Sequence, residues 1–261
     1  MNAVSAQDFY AALTPFYHLI YPDWQASIRQ QAAMLDALIR DIWGGQVRFI
    51  LDVACGIGTQ CLGLAQLGYT LTASDLSAAE VARARVEAEQ RQLDIRFSVA
   101  DMRQAFDHHL AQFDLVIACD NAVPHLLSDN EIRMAMQQFY ACVRPGGGGL
   151  ISVRDYDKEL GSGCEVRPYG VRDEQGKRYL VFQVWDWQEK HYDVAMYFVE
   201  DHGGAECVTH VMRGSYYAVT TDTLIALMRE AGFVEVERLD GRFFQPVIVG
   251  KRPGTGALYE F

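Results

Sequence analysis

The stretch Ile50–Gln60 reads Ile-Leu-Asp-Val-Ala-Cys-Gly-Ile-Gly-Thr-Gln and decides the fold class. A short apolar run carries one acid and then breaks into a turn with two glycines, which is typical of a first strand that leads into a helix. Glycine lets such a turn approach a ligand, because no Cβ stands in the way and a positive φ costs little. Asp75 ends the next apolar run, where its carboxylate is placed to accept hydrogen bonds from a ribose diol. The pattern therefore predicts a nucleoside site at the edge of an α/β sheet.

Two cofactor classes use this arrangement, and the spacing of the glycines helps to separate them. The dinucleotide fingerprint is G-x-G-x-x-G. Gly56 and Gly58 supply its first two glycines, but Cys61 stands at the third position, where its side chain would obstruct close contact between helix and strand. Asp52 would repel a pyrophosphate, whereas an acid suits a cationic ligand such as an amino group or a sulfonium. A sulfonium cofactor is therefore favoured over a dinucleotide.

The segment Leu51–Thr59 resembles the first motif of the class I S-adenosylmethionine-dependent methyltransferases, which often have glycine at the position of Ala54. The resemblance implies S-adenosylmethionine as the cofactor and S-adenosylhomocysteine as the product. It implies transfer of a methyl group to a small molecule, with nitrogen favoured over oxygen as the acceptor atom. Two alternatives stay open: a nicotinamide-dependent Rossmann oxidoreductase, and a protein that binds S-adenosylmethionine without catalysis.

Strand and helix patterns alternate on both sides of the glycine turn. Apolar strands that alternate with helices predict a parallel sheet covered on both faces. The predicted fold is α/β: a doubly wound, Rossmann-like, seven-stranded and mostly parallel sheet with an antiparallel last strand, N-terminal helices and an inserted antiparallel meander. The predicted parts are an N-terminal helical lid (1–44), a cofactor-binding α/β core (45–153), an antiparallel cap insertion (154–219) and a C-terminal completion of the core (220–261).

Three regions carry more detailed predictions. Pro15 and Pro22 interrupt a helical spacing between residues 6 and 42, which predicts two or three short helices. The four glycines Gly146–Gly149 predict a turn that ends one helix and starts a strand. Beyond Arg154 the hydrophobic pattern changes to an alternation of apolar and polar residues, which predicts three strands. These strands cover 179–187, 192–200 and 207–219, and Thr221 is the predicted cap of the helix that follows them.

The ligand of an open α/β sheet lies outside the carboxyl ends of the strands, and this rule selects the candidate cofactor residues. By resemblance, Asp75 binds the ribose hydroxyls with Leu76 beside the adenine. Asp101 accepts a hydrogen bond from the adenine amino group, and the Met102 N–H meets a ring nitrogen. The candidates in the core are Asp52, Ala54, Gly56, Gly58, Asp75, Leu76, Ser77, Asp101, Met102 and Asp120.

The segment Asp120–His125 follows the fourth predicted strand, where the family places the acceptor. It lacks the Asn/Asp-Pro-Pro-aromatic motif that many base N-methyltransferases carry, so base methylation loses support. Asn121 and His125 are the candidate catalytic residues. His125 either accepts a proton from the nucleophile or hydrogen-bonds its own loop, and both interpretations stay open.

The run Phe16–Trp24, followed by Arg29, resembles the N-terminal helices of glycine, sarcosine and dimethylglycine N-methyltransferases. The resemblance implies that Arg29 binds the methionine carboxylate of the cofactor. Aromatic faces would stabilise a sulfonium by cation–π contact, so Tyr21 and Trp24 are predicted to wall the cofactor. An arginine, Arg154 or Arg213, would bind a substrate carboxylate. The predicted substrate residues are Tyr17, His125, Arg154, Tyr156 and Tyr216.

Size and composition exclude several classes of partner. The chain has 261 residues, 50% of them hydrophobic, and a formal net charge of -11. Such a chain buries one sizeable core, and its charge opposes nucleic-acid binding. No apolar run predicts a membrane span, no ligand spacing predicts a metal, and the scattered cysteines predict free thiols. We therefore expect a cytoplasmic monomer or homodimer that acts on a small molecule, without nucleic-acid, membrane or metal partners.

Overall fold

Helices and strands alternate up to residue 152, and a long antiparallel insertion follows. The structure is a computed structural model that describes residues 5–255. Its helices are α1 (Ala6–Leu13), α2 (Trp24–Trp43), α3 (Thr59–Gln66), α4 (Ala78–Gln90), α5 (Ala105–His109), α6 (Asp129–Cys142), α7 (Tyr156–Glu159) and α8 (Thr221–Glu230). Its strands are β1 (Phe49–Asp52), β2 (Thr70–Asp75), β3 (Ile95–Val99), β4 (Phe113–Ala118), β5 (Val143–Ser152), β6 (Cys164–Glu174), β7 (Lys177–Gln188), β8 (His191–Asp201), β9 (Cys207–Tyr217), β10 (Val234–Leu239) and β11 (Val247–Lys251). Single 3₁₀ turns lie at Tyr17–Ile20, Gly44–Gln46, Met102–Gln104 and Val123–His125.

The larger sheet confirms the predicted fold class. Its strand order is β10-β11-β5-β4-β1-β2-β3, and β11 runs antiparallel to both of its neighbours. β1 pairs in parallel with β2 on one side and with β4 on the other. The chain therefore winds outward in two directions from β1, which opens a crevice at the carboxyl ends of β1 and β4.

Apolar strands at the centre of this sheet explain why it is covered on both faces. Ile50 and Leu51 in β1 are fully buried, as are Leu115 and Val116 beside them in β4. Successive side chains of a strand point to opposite faces, so each of these strands needs apolar partners on both sides. One buried cluster includes side chains of α6 and α8, and another includes those of α2 and α3. Helices on both faces thus hold the carboxyl ends of the strands in fixed positions.

The prediction of only short N-terminal helices was wrong for α2, which is one helix of 20 residues. Pro22 precedes this helix without interrupting it, and the Asp23 carboxylate caps it by accepting the Ala26 N–H at 2.9 Å. The middle of α2 packs on α3 at Gly63, where an added Cβ would lie 2.6 Å from the Ala32 Cβ. α2 therefore belongs with the core, and the segment that covers the crevice is the described part before Asp23.

The four glycines Gly146–Gly149 lie inside β5 and do not form the predicted turn. β5 pairs with β4 and β11, and its neighbours come very close. A Cβ on Gly147 would lie 2.3 Å from the Asp114 carbonyl oxygen, and one on Gly148 would lie 2.4 Å from the Trp43 ring. These glycines therefore allow close approach within the core, at the opposite end of β5 from the crevice.

The insertion contains four strands where three were predicted, and we call this smaller sheet, β6–β9, the cap sheet. The missed strand, β6, has an exposed face rich in charged residues and an irregular register near Pro168 and Gly170. The sequence therefore shows no clear apolar alternation there. The following helix α8 is capped by Thr220, one residue before the predicted Thr221. Within residues 5–255, no helix has the combined length and apolar character that crossing a membrane requires.

Candidate active site

A cavity of about 250 Å³ lies at the carboxyl ends of β1 to β4. We call it the cofactor cavity. The turns that follow these four strands supply most of its wall, and the segment before Asp23 supplies the rest. The predicted cofactor residues in its wall are Ala54, Gly56, Asp75, Leu76, Ser77, Asp101, Met102, Asp120 and Tyr21. The topology thus brings together residues that are far apart in the sequence.

The glycine turn after β1 is bonded directly to the acid at the end of β2. Gly56 has φ +52°, and its N–H donates to Asp75 Oδ2 at 2.9 Å. The Ser77 N–H donates to Asp75 Oδ1, also at 2.9 Å. Burial raises the pKa of Asp75, and these N–H groups oppose that shift. Backbone donors therefore fix the Asp75 carboxylate at the wall of the cavity, where it has lone pairs left for ligand hydroxyls.

The acid after β3 is held by an arginine that the sequence analysis missed. The Arg103 N–H donates to Asp101 Oδ1 at 2.8 Å, and its guanidinium reaches Asp101 Oδ2 at 2.6 Å. Burial alone would raise the pKa of Asp101, but the hydrogen bonds from Arg103 outweigh it and hold the pKa below its usual value. Asp101 is therefore an ionised acceptor whose orientation is fixed.

Two predicted cofactor residues of the glycine motif do not line the cavity. Asp52 lies buried beneath the turn, with Oδ1 accepting the Ala54 N–H at 3.2 Å. Its Oδ2 has no hydrogen-bond partner among the described residues, and burial raises the pKa of Asp52 to about 7. Gly58 begins α3, and a Cβ there would lie 2.9 Å from Leu62. Asp52 is therefore buried beneath the turn, and Gly58 allows close packing against Leu62.

Trp24 and Arg29 were predicted to contact the cofactor, but neither lines the cofactor cavity formed by the described residues. The Trp24 indole donates to Thr59 Oγ1 at 2.9 Å and lies in a buried cluster with Ile28 and Leu62. Arg29 is exposed on α2 and does not line the cofactor cavity formed by the described residues. The reason is the continuous helix α2, which turns Trp24 towards α3 and Arg29 towards solvent.

Three tyrosines of the N-terminal segment close the cofactor cavity: Tyr10, Tyr17 and Tyr21. The Tyr21 hydroxyl donates to Asp120 Oδ2 at 2.9 Å, and the Tyr10 hydroxyl lies 2.7 Å from His125 Nε2. Burial raises the pKa of all three phenols well above the ordinary value, so they are neutral. Two hydroxyls therefore latch the segment onto the loop that follows β4.

His125 takes a role that neither sequence interpretation described. It bonds the N-terminal segment through Tyr10, and its ring centroid lies 4.0 Å from that of Tyr216 in the cap sheet. Burial lowers the pKa of His125 to about 3, so the ring is neutral near pH 7. A group with that pKa is a poor proton acceptor at neutral pH. The geometry therefore makes His125 a connector between the N-terminal segment, the loop and the cap sheet.

The turn after β4 is strained, and its side chains hold it in place. Asp120 and Asn121 have φ +56° and +65°, a conformation that costs non-glycine residues about 1–3 kcal/mol each. Asn121 Oδ1 accepts hydrogen bonds from the Arg154 N–H at 3.1 Å and from the Tyr156 hydroxyl at 3.0 Å. The Tyr156 hydroxyl also contacts that of Tyr192 at 2.9 Å. Asn121 and Tyr156 are thus bonded within the protein, which favours a supporting role over the predicted catalytic and substrate contacts.

A second, small cavity of about 50 Å³ adjoins the first beneath the cap sheet, and we call it the acceptor cavity. It shares Tyr10, Tyr17 and Asp120 with the cofactor cavity. The rest of its wall consists of Phe9, Leu13, Ile20, Asn121, Arg154, Tyr169, Gln183 and Tyr216. Among the predicted substrate residues, Tyr17, Arg154 and Tyr216 therefore meet at one place.

Arg154 is the cation of the acceptor cavity. Its guanidinium lies 3.5 Å from the Tyr169 hydroxyl and 4.7 Å from the centroid of the Trp185 ring. It forms no salt bridge within 4.0 Å among residues 5–255, although its charge acts on Asp120: burial raises the pKa of Asp120, and Arg154 opposes that shift. Arg213, the other predicted arginine, is exposed on β9. Of the two predicted arginines, Arg154 is therefore the one that lines the acceptor cavity.

We expect the double variant Tyr10→Phe and Tyr21→Phe to lower turnover about 10-fold, because each lost hydroxyl removes a bond worth about 1 kcal/mol or more. The latch would then hold the segment less firmly over both cavities. Tyr69→Phe is the control, since the Tyr69 hydroxyl bonds Asp36 at 2.7 Å and does not line either cavity. Steady-state rates of all three proteins test this prediction. An unchanged rate in the double variant would show that the latch does not matter.

The chain is similar in sequence to known methyltransferases. Residues 50–147 match the family profile described as a methyltransferase domain. The chain is 32% identical over 145 residues to the glycine/sarcosine N-methyltransferase of Parasynechococcus marenigrum (strain WH8102), a match that covers 56% of this chain and 50% of the relative. The chain spans about half the length of the curated relatives it matches.

Solved structures share the fold over most of the chain. DesVI from Streptomyces venezuelae has a TM-score of 0.79 at 21% identity, covering 91% of this chain and 97% of DesVI. An S-adenosylmethionine-bound amino pentose methyltransferase from Micromonospora echinaspora, involved in calicheamicin biosynthesis, has a TM-score of 0.75 at 23% identity, covering 87% and 92%. The domain match supports the predicted methyltransferase domain over residues 50–147, and the solved structures share its fold. They favour this class over the nicotinamide-dependent alternative.

Proposed function

We propose that the chain is an S-adenosylmethionine-dependent methyltransferase that methylates the nitrogen of a small amine carrying a carboxylate. The observation that carries the acceptor class is Arg154, a guanidinium in the wall of the acceptor cavity that forms no salt bridge within 4.0 Å in the described chain. A half-buried guanidinium without a salt bridge favours an anionic ligand, and a carboxylate matches its fork of donors in a bidentate pair.

The cofactor cavity has donors and acceptors that fit S-adenosylmethionine. Asp75 would hold the ribose hydroxyls, and Asp101 would accept a hydrogen bond from the adenine amino group. Tyr17 and Tyr21 have stacked rings with centroids 6.4 Å apart, and their faces suit a sulfonium. Asp120 adds a carboxylate between the two cavities, which also suits a cation. These residues would orient the ligand so that its methionine end faces the acceptor cavity.

The reaction requires little proton transfer from the protein. S-adenosylmethionine, when bound, would supply a methyl carbon for attack by a nucleophile, with S-adenosylhomocysteine as the leaving group. An uncharged amine attacks with its own lone pair, so this chain must align it and exclude water. The neutral His125 and the raised pKa values of Tyr10 and Tyr216 suit this role better than that of a base. A reaction that depends on alignment more than on a dedicated base favours nitrogen over oxygen.

The relatives support nitrogen as the acceptor atom. The first relative is named for glycine and sarcosine, which are small amines with a carboxylate. The amino pentose methyltransferase acts on a sugar. Arg154 favours the first chemistry for this chain, because a sugar has no anionic group to pair with a guanidinium. A protein that binds the cofactor without catalysis would have the same cofactor site, so only a turnover assay distinguishes that alternative from this proposal.

A screen for release of S-adenosylhomocysteine tests the proposal. The purified chain would be given S-adenosylmethionine with pairs of amines of equal size, one with a carboxylate and one with the corresponding amide. We expect product with at least one carboxylate member, and kcat/KM lower by about 100-fold for its amide, since bonds to charged groups contribute about 1.5–3 kcal/mol each. Binding of S-adenosylhomocysteine without turnover across the panel would favour the non-catalytic alternative.

A further inference from the structure

Glu80 is a buried acid in the wall of the cofactor cavity that the sequence analysis did not select. It is the third residue of α4, a position where an acid usually faces solvent and interacts with the N-terminus of the helix. Here its side chain is fully buried and points into the cavity. Burying a carboxyl group is costly unless it finds hydrogen-bond partners, so the position requires a reason.

The protein does not satisfy this carboxyl group. Glu80 Oε1 lies 3.5 Å from the Thr14 hydroxyl, but that hydroxyl donates its proton to the Tyr10 carbonyl oxygen at 2.7 Å. Glu80 Oε2 has no hydrogen-bond partner within residues 5–255. A buried polar atom without a partner that also lies in the wall of a ligand cavity points to a partner supplied from outside the protein.

The position of Glu80 Oε2 shows which part of a ligand it would meet. A Cβ added to Gly56 would lie 2.9 Å from this oxygen, and 3.3 Å from the Tyr17 ring. The N–H of the same glycine donates to Asp75 Oδ2. The Glu80 and Asp75 carboxyl groups therefore face one space above the glycine turn, and Tyr17 closes its far side.

We propose that Glu80 is a second ribose-binding residue, which hydrogen-bonds one of the two ribose hydroxyls that Asp75 also contacts. This inference rests on the proposed function, because it requires a nucleoside in the cofactor cavity. It pairs a vicinal diol of the ligand with a carboxyl group that otherwise has one oxygen without a hydrogen-bond partner in the described chain.

The charges around Glu80 fit such a pair of acids. Burial, and then the nearby negative charge of Asp75, raise the pKa of Glu80 well above its ordinary value. A protonated carboxyl group donates one hydrogen bond, whereas an ionised carboxylate only accepts. A diol whose two protons point to Asp75 still offers oxygen lone pairs. A protonated Glu80 would complement an ionised Asp75 on the same sugar.

The variants Glu80→Leu and Glu80→Gln separate hydrogen bonding from shape. Calorimetry with S-adenosylhomocysteine should show about 10-fold weaker binding for Glu80→Leu, because it leaves a ribose hydroxyl unpaired. Glu80→Gln keeps a donor of similar size and should stay within about threefold of the unaltered protein. Glu89→Leu is the control, since Glu89 is exposed on the same helix. Thermal unfolding confirms that each variant is folded.

Analogues that lack the 2′- or the 3′-hydroxyl identify the contact. Glu80→Leu should weaken binding of one analogue clearly less than it weakens binding of S-adenosylhomocysteine, because that analogue already lacks the hydroxyl that Glu80 contacts. Equal losses for the parent ligand and both analogues would make Glu80 a shaping residue and overturn the inference. Unchanged binding by Glu80→Leu would overturn it too, with the proposed function intact. Failure of the unaltered protein to bind S-adenosylhomocysteine would overturn both.

Discussion

We expect Gly56→Val to reduce the affinity for S-adenosylhomocysteine by about 1000-fold or more. A side chain that fills the site would remove on the order of 4 kcal/mol of binding free energy. The new Cβ would lie 2.9 Å from Glu80 Oε2 and 3.3 Å from the Tyr17 ring. Movement of Glu80 into the cavity would narrow the ligand space further. Valine at φ +52° also strains the turn that holds Asp75. Calorimetry on the folded variant measures the loss.

Gly68→Val is the matched control for backbone strain. Gly68 has φ +95°, it is exposed, and nothing lies within 4 Å of the position of an added Cβ. Both substitutions should lower the free energy of unfolding, by about 1–3 kcal/mol for an unfavourable φ. Only Gly56→Val should also remove binding. Full affinity in a folded Gly56→Val protein would mean that the glycine turn does not approach the cofactor.

The fold class of the large sheet could be predicted because its signals are local. Each core strand is an apolar run, each helix has its own apolar stripe, and the glycine turn after β1 marks the carboxyl edge. The strand-end rule then selected Asp75 and Asp101 without any knowledge of contacts between them. Both acids line the cofactor cavity, as expected.

The wrong predictions share a different cause, which is contact between distant parts of the chain. Arg29 and Trp24 lie close in sequence to the tyrosines of the N-terminal segment, but the unbroken helix α2 turns them away from the cavity. β6 pairs at the edge of the cap sheet, so it lacks the apolar alternation of its neighbours. Sequence periodicity cannot report either effect, because both depend on what the segment packs against.

Glu80 and Arg103 were missed for a related reason. An acid in the first turn of a helix and an arginine beside an aspartate are both common on solvated surfaces. Only the folded chain shows that Glu80 is buried in the cavity and that Arg103 fixes Asp101. A sequence signal does exist for Arg103, since it lies two residues after a strand-end acid, but that signal is not specific.

Arg154→Gln should lower kcat/KM for a carboxylate-bearing amine by about 1000-fold, since two charge-assisted bonds of about 1.5–3 kcal/mol each are lost and 1.4 kcal/mol is a factor of ten. Affinity for S-adenosylhomocysteine should change little, because Arg154 lines the acceptor cavity and not the cofactor cavity. Arg213→Gln is the control, as Arg213 is an exposed arginine of the cap sheet. Steady-state kinetics and calorimetry on the same preparations measure both quantities.

A structural role for Arg154 requires a separate test, because its guanidinium also stacks on Trp185 at 4.7 Å. Arg154→Lys keeps the charge but loses the planar fork, so it should recover only part of the activity. An amine without a carboxylate provides the decisive comparison. If Arg154 only supports the cap sheet, Arg154→Gln lowers kcat/KM equally for amines with and without a carboxylate. If Arg154 binds the carboxylate, the loss is confined to the amine that carries one, and thermal unfolding of the variant stays close to that of the unaltered protein.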